Sequence, residues 1–279
     1  MLGKLFINLM FSLALASEVR ASPWNIETGQ WRNFVTYRYY ATDKYFDTKG
    51  EKVAKSSDFS KNELQFLAEY GVAPKWNIGF NVFSSKQTDR NGDVVNYDLQ
   101  GISRSDLFAR RELYRDDDYA LAAQGSFSLP SYYPNKTANS KILYEKAAAE
   151  LALLMGANFD LLPNNDGFLN ANWVAGKIAY RYRSGTFDDQ YLLGAQLGLR
   201  INEKLAIIPE VNITQSTQLI SQSLASVAGD NNYNLTNAQF SLAYNISNST
   251  AVQIGFFQHL SGKNAGAGGG GLFSLWLAL

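Results

Sequence analysis

Gln190-Tyr-Leu-Leu-Gly-Ala-Gln-Leu-Gly-Leu-Arg200 sets Tyr191, Leu193, Ala195, Leu197 and Leu199 at every second position, against Gln190, Gly194, Gln196, Gly198 and Arg200. In an extended chain residues two apart share a face, so this segment has an apolar wall and a polar wall. Glycines on the polar wall suit a crowded interior. The same rhythm recurs outward in both directions. Leu205, Ile207, Val211 and Ile213 oppose Lys204, Glu210, Asn212 and Thr214; Leu64, Phe66, Ala68 and Tyr70 oppose Glu63, Gln65, Leu67 and Glu69.

Carried along the chain, the pattern predicts about twelve strands, near 30–41, 60–71, 75–86, 102–114, 118–129, 145–159, 168–183, 188–201, 204–216, 233–246, 250–260 and 268–279. The breaks sort into two kinds. Residues 72–74, 115–117, 160–167, 202–203 and 247–249 are brief and rich in Asp, Asn and Pro, whereas 42–59, 87–101, 130–144, 217–232 and 261–267 are mostly longer and polar. Only Ser184–Phe187 is short where a long loop is expected. A soluble sandwich has no reason to alternate tight and long connections. An outer-membrane barrel does, with short periplasmic turns and longer outer loops. The expected fold is all-β, a transmembrane antiparallel up-and-down barrel, in which every backbone polar group is paired.

Two segments fit less well. Lys146–Met155 has helix-forming composition, so 145–159 reads as strand or helix. Pro209 lies within a strand, where its missing N–H predicts a bulge.

Residues 1–21 read as a signal peptide, with Lys4, an apolar run Leu5–Ala16, and small residues allowing cleavage after Ala16 or Ala21. The remainder, 22–279, is a single barrel domain in the bacterial outer membrane. Net charge is zero and there is no cysteine. A nucleic-acid partner would require a basic face, and disulfides or thiolate metal sites are excluded. No cofactor or metal is expected.

Parity puts Arg38, Glu63, Glu69, Asp106, Arg110, Lys177, Arg181, Arg183, Arg200 and Glu210 on the inward faces, where both signs can pair across the lumen. Twelve strands fall between filled eight-stranded barrels and open porins. These charges therefore form either a constriction that filters solutes or a structural filling. Tyr70, Trp76, Tyr114, Tyr119 and Tyr244 cluster beside the tight turns, as a girdle at the membrane boundary would.

His259-Leu-Ser261 is similar to the His-x-Ser of outer-membrane phospholipases. Parity turns both residues inward, whereas a lipid-cleaving pair belongs on the outer wall, so an enzyme is not expected. Asp89-Arg-Asn-Gly-Asp93 starts like a calcium loop but lacks the later glutamate and reads as a loop tip.

Several phrases carry a family likeness. Tyr70-Gly-Val-Ala-Pro-Lys-Trp76, Phe127-Ser-Leu-Pro130, Arg181-Tyr-Arg-Ser-Gly185 with Asp188-Asp189, and Ser261–Gly268 before Leu275-Trp276 resemble the outer-membrane proteins named for the meta-pathway of phenol degradation, a fatty-acid-transporter-like family. The resemblance implies a single-chain barrel admitting small hydrophobic or aromatic solutes. Phe273–Leu279 resembles the C-terminal signal read by the barrel-assembly machinery, although it ends in Leu279 rather than an aromatic residue. Only eight residues, 22–29, precede the first strand, too few for the N-terminal plug of the fatty-acid transporters. The expected function is passive solute uptake, with lipid bilayer and lipopolysaccharide as surroundings. A sealed structural or adhesive barrel acting through its outer loops is the alternative.

Overall fold

The computed structural model describes residues 23–134, 147–161, 172–185, 187–217 and 232–279. The expected signal peptide lies outside the described residues, as do most of 130–144, 160–167 and 217–232. The strands are β1 (Trp31–Phe46), β2 (Lys52–Ala73), β3 (Trp76–Asn91), β4 (Val94–Arg115), β5 (Tyr119–Leu129), β6 (Ala148–Phe159) and β7 (Asn172–Arg183). They continue as β8 (Gln190–Arg200), β9 (Leu205–Ser216), β10 (Asn234–Ser247), β11 (Thr250–Lys263), β12 (Ala265–Gly266) and β13 (Gly269–Ala278).

From β1 to β11 each strand pairs antiparallel with the next in sequence, and β11 then pairs with β13. β12 and β13 together form the twelfth stave, and they pair with β1 to close the wall. Reciprocal backbone bonds between Trp31 and Leu279, at 2.8 and 2.9 Å, fasten the closure at the tight-turn end. No free sheet edge remains there, which is the condition for crossing lipid with strands. No helix among the described residues is long and apolar enough to cross a membrane.

The outer face carries exposed apolar side chains, among them Leu64, Ile78, Leu107, Leu151, Ile178, Leu193, Ile254 and Phe273. Their register partners share that face; Ile78 sits opposite Tyr70 and Leu193 opposite Ile178. The inner face is polar and buried, with Gln65, Asn81, Gln124, Gln196, Gln239, Gln253 and Ser274 enclosed. A soluble protein has the reverse arrangement.

The structure settles one open reading and corrects two expectations. β6 is a strand, because pairing with β5 and β7 on both sides overrides its helical composition. Pro209 needs no bulge. It lies opposite Phe240 in unbroken register, and on its other side the β8–β9 ladder skips the pairs Leu197–Pro209 and Gly198–Ile208 without a change of register. The expected loops 42–59 and 87–101 are largely strand: β1–β4 run on to tight turns near Gly50 and Gly92, both at positive φ, 89° and 58°. Likewise β11 continues to Lys263 and turns at Asn264, φ 52°, shortening the expected loop 261–267. At about 3.3 Å per residue and a tilt near 40°, a 22-residue strand such as β2 rises about 55 Å, well beyond a 25 Å apolar band. One side of the barrel therefore stands up as a lip.

Candidate functional site: the lumen

The lumen has two unlike halves. At the tight-turn end, inward-facing Phe34, Leu67, Trp173, Ile208 and Trp276 form an apolar floor with Ala175, Ala243 and Ala251, and Trp24 and Phe108 pack against it. Trp276 meets Phe34 edge-on at 6.0 Å and donates its indole N–H to Ser274 at 3.1 Å. Glycines make room for the large rings. A Cβ on Gly198 would lie 2.1 Å from the Trp173 ring, and one on Gly156 would lie 2.5 Å from Trp24.

Trp24 belongs to a segment, Pro23–Gln30, that sequence periodicity gave no reason to place inside. Its chain folds back into the tight-turn mouth. The amide of Gly29 donates to the Gly71 carbonyl at 2.8 Å, and that of Gly71 to the Gln30 carbonyl at 3.1 Å. Ile26 is buried, and its amide donates to the Asn77 side chain at 3.0 Å. Pro23–Gln30 thus caps the mouth from within.

Beside this floor lies a sealed ionic triad. Glu69 accepts from Arg32, at 2.5 and 2.9 Å, and from Arg110; side-chain exposure is 4 % for Arg32, 2 % for Glu69 and zero for Arg110. On the opposite wall Glu210 accepts from Asn212 at 2.5 Å and from Gln196 and Gln239 at 3.4 Å. Arg38 reaches Gln239 at 3.3 Å and lies over the Phe257 ring.

Toward the loop end the lumen opens into a cavity of about 330 Å³. Its charged lining among the described residues is Lys61, Glu63, Arg104, Asp106, Glu150, Lys177 and Arg181. Glu150, on β6, accepts from Lys177 at 2.5 Å and Arg181 at 2.8 Å, both on the neighbouring β7. Asp106 accepts from Arg104 at 2.8 Å and from Ser128 at 2.6 Å. Lys61 lies 2.5 Å from Glu63. Leu67, Phe83, Phe108 and Leu192 supply apolar strips between these charges.

All ten sequence-predicted lumen residues are placed on inward registers, but the set does not act as one ring. Glu63, Asp106, Lys177 and Arg181 line the cavity, and Glu69 and Arg110 belong to the sealed triad. Arg183 is tied to the loop-end rim through the Asp188 carbonyl at 2.6 Å and Asn232 at 3.0 Å. Arg200 lies at the tight-turn end beside Trp173 and Lys204. The ion pairs run along the wall, mostly within a strand or between adjacent strands, since side chains there are already in register. Arg32, Arg104 and Glu150 were missed, although each has the parity of a residue that was found. Glu150 lies in the segment whose composition left strand or helix open.

Of the expected girdle, Trp76, Tyr114, Tyr119 and Tyr244 are exposed on the outer face beside the tight turns. Tyr70 is half-buried there, 4.7 Å from the Trp31 ring, and Arg111 covers Trp76. Asp116 caps its turn, accepting from the Tyr114 hydroxyl at 2.5 Å and from the amides of Tyr119 and Asp118. The hydrogen bond from Tyr114, then those from the backbone, hold this exposed carboxyl below its usual range.

His259 and Ser261 do not form a pair. A register shift on β11 separates them: His259 lies opposite inward Asn237 and Ser261 opposite Thr236 on the other face, correcting the parity that turned both inward. The His259 ring bonds the Gly266 carbonyl at 2.7 Å and packs on Tyr40. Asp89 itself lies on β3 paired to Lys55, and the tip of its segment is the turn at Gly92–Asp93.

A closed wall that is apolar outside and charged inside decides the class. The chain is a twelve-stranded outer-membrane β-barrel. Solved structures agree on the fold. An outer membrane channel of Pseudomonas putida F1 superposes with TM-score 0.68 over 91 % of this chain and 97 % of that one, at 13 % identity. The NanC porin gives TM-score 0.52 over 88 % and 100 % at 8 % identity. The β domain of the Bordetella autotransporter BrkA gives 0.52 over 90 % and 99 % at 12 % identity. These neighbours bear out the barrel implied by the sequence resemblance. No family model matches the chain, and no curated protein matches it in sequence.

Proposed function

We propose that the protein is a passive channel that admits small solutes through the outer membrane, with the tight-turn end in the periplasm and the lip and loops outside. The observation that carries this reading is the charged cavity of about 330 Å³ inside the wall. That volume falls at the low end of small-molecule sites, about 300–1,000 Å³. One structural neighbour is itself described as an outer membrane channel. The hydrophobic or aromatic solute class rests on the sequence resemblance, and Leu67, Phe83 and Phe108 offer a surface on which a ring can lie. Tyr70, Trp76, Tyr114, Tyr119 and Tyr244 are assigned to the inner membrane boundary, where amphipathic rings are favoured.

The apolar floor and the cap around Trp24 favour a second reading, a sealed barrel acting through its lip and outer loops. Conductance in planar bilayers separates the two. A channel gives discrete steps that grow in Trp24→Ala. A scaffold is silent in both proteins.

A further inference from the structure

The cavity is nearly balanced in charge but not in where the charge lies. Among its described lining residues four are cationic (Lys61, Arg104, Lys177, Arg181) and three anionic (Glu63, Asp106, Glu150). In four ion pairs along this wall the cation is the more exposed partner. The exposures are 30 % for Lys61 against 13 % for Glu63, 28 % for Arg104 against 8 % for Asp106, and 16 % and 13 % for Lys177 and Arg181 against 6 % for Glu150. The carboxylates sit back against the strands, and Ser128 donates a further hydrogen bond to Asp106. A solute in the cavity therefore meets ammonium and guanidinium groups first. Coulomb energy falls with distance, and low-dielectric walls focus the field into the enclosed space, so the nearer charges dominate.

We infer that this vestibule is an anion filter, so that the channel passes small organic anions, carboxylates above all, in preference to cations. The inference rests on the channel reading and supplies its solute class. The guanidiniums of Arg104 and Arg181 suit a carboxylate through paired N–H donors, with Lys177 as a point charge beside them. A ring on such an anion would lie against Phe83 and Phe108.

The test is a reversal potential in a potassium chloride gradient across a planar bilayer holding the full-length protein. Chloride is expected to be severalfold more permeant than potassium. Lys177→Gln with Arg181→Gln leaves two cations against three carboxylates and is expected to bring the ratio below unity. Glu150→Gln removes one of the recessed carboxylates and is expected to raise it. The two variants must shift in opposite directions, so a general loosening of the barrel cannot mimic the result. Heat-modifiable migration on a gel confirms that each is folded. Steps that are unselective or cation-selective in the unaltered protein overturn the filter and leave the channel standing, as does a ratio unmoved by either variant. The absence of any steps overturns the channel itself.

Discussion

The two ionic clusters of the lumen use the same chemistry to different ends. Around Glu69, two guanidiniums and a carboxylate are sealed from water beside an apolar floor. Around Glu150, an ammonium, a guanidinium and a carboxylate line an open cavity, with the cations turned toward the space. The first ties β1, β2 and β4 together; the second leaves a charged surface open to the cavity. Burial, and not residue type, separates the two clusters.

The sharpest way to break this contrast is to remove each carboxylate in turn. Glu69→Ala leaves Arg32 and Arg110 enclosed without their counter-ion, and breaking a buried pair in this way costs about 3–5 kcal/mol. Glu150→Ala leaves Lys177 and Arg181 facing water and is expected to lower the unfolding midpoint much less. Equal shifts in urea unfolding would erase the distinction. Next in size, Leu151→Arg puts a charge on the lipid face behind the Glu150 cluster and is expected to cost about 2–4 kcal/mol if it lies near the bilayer midplane. Gly198→Ala drives a methyl into the Trp173 ring of the floor, and overpacking of this kind costs about 1–3 kcal/mol, read as a lowered unfolding midpoint. Trp24→Ala is expected to change stability least, because Trp24 is only partly buried and extends from a short segment. It should nonetheless raise conductance, which would show that the cap limits passage and does not hold the wall together.

The wall was legible in the sequence because its cause is local. In β8 and β9 each residue's face follows from parity alone, and Tyr191, Leu193, Val211 and Ile213 all face outward as read. The ion pairs were less legible. Whether Lys177 meets Glu150 or some charge across the lumen depends on register between strands, which alternation does not encode. At β6 composition left strand or helix open, and pairing with its neighbours holds a helical sequence extended. The cap at Trp24 left no trace: Pro23–Gln30 has no periodicity, and its place is set by glycines far along the chain, at 71 and 156. The lip was missed because a polar strand beyond the membrane has the composition of a loop.

The lack of native cysteine permits a direct test of the divided lumen inside a two-sided wall. Single cysteines at Ser126, Ala251 and Leu151 would report on the cavity, the floor and the lipid face respectively. In proteoliposomes treated with a charged, membrane-impermeant thiol reagent, Ser126→Cys should react quickly, while Ala251→Cys and Leu151→Cys stay protected. Rapid labelling at Leu151, or labelling at Ala251 as fast as at Ser126, would contradict the account.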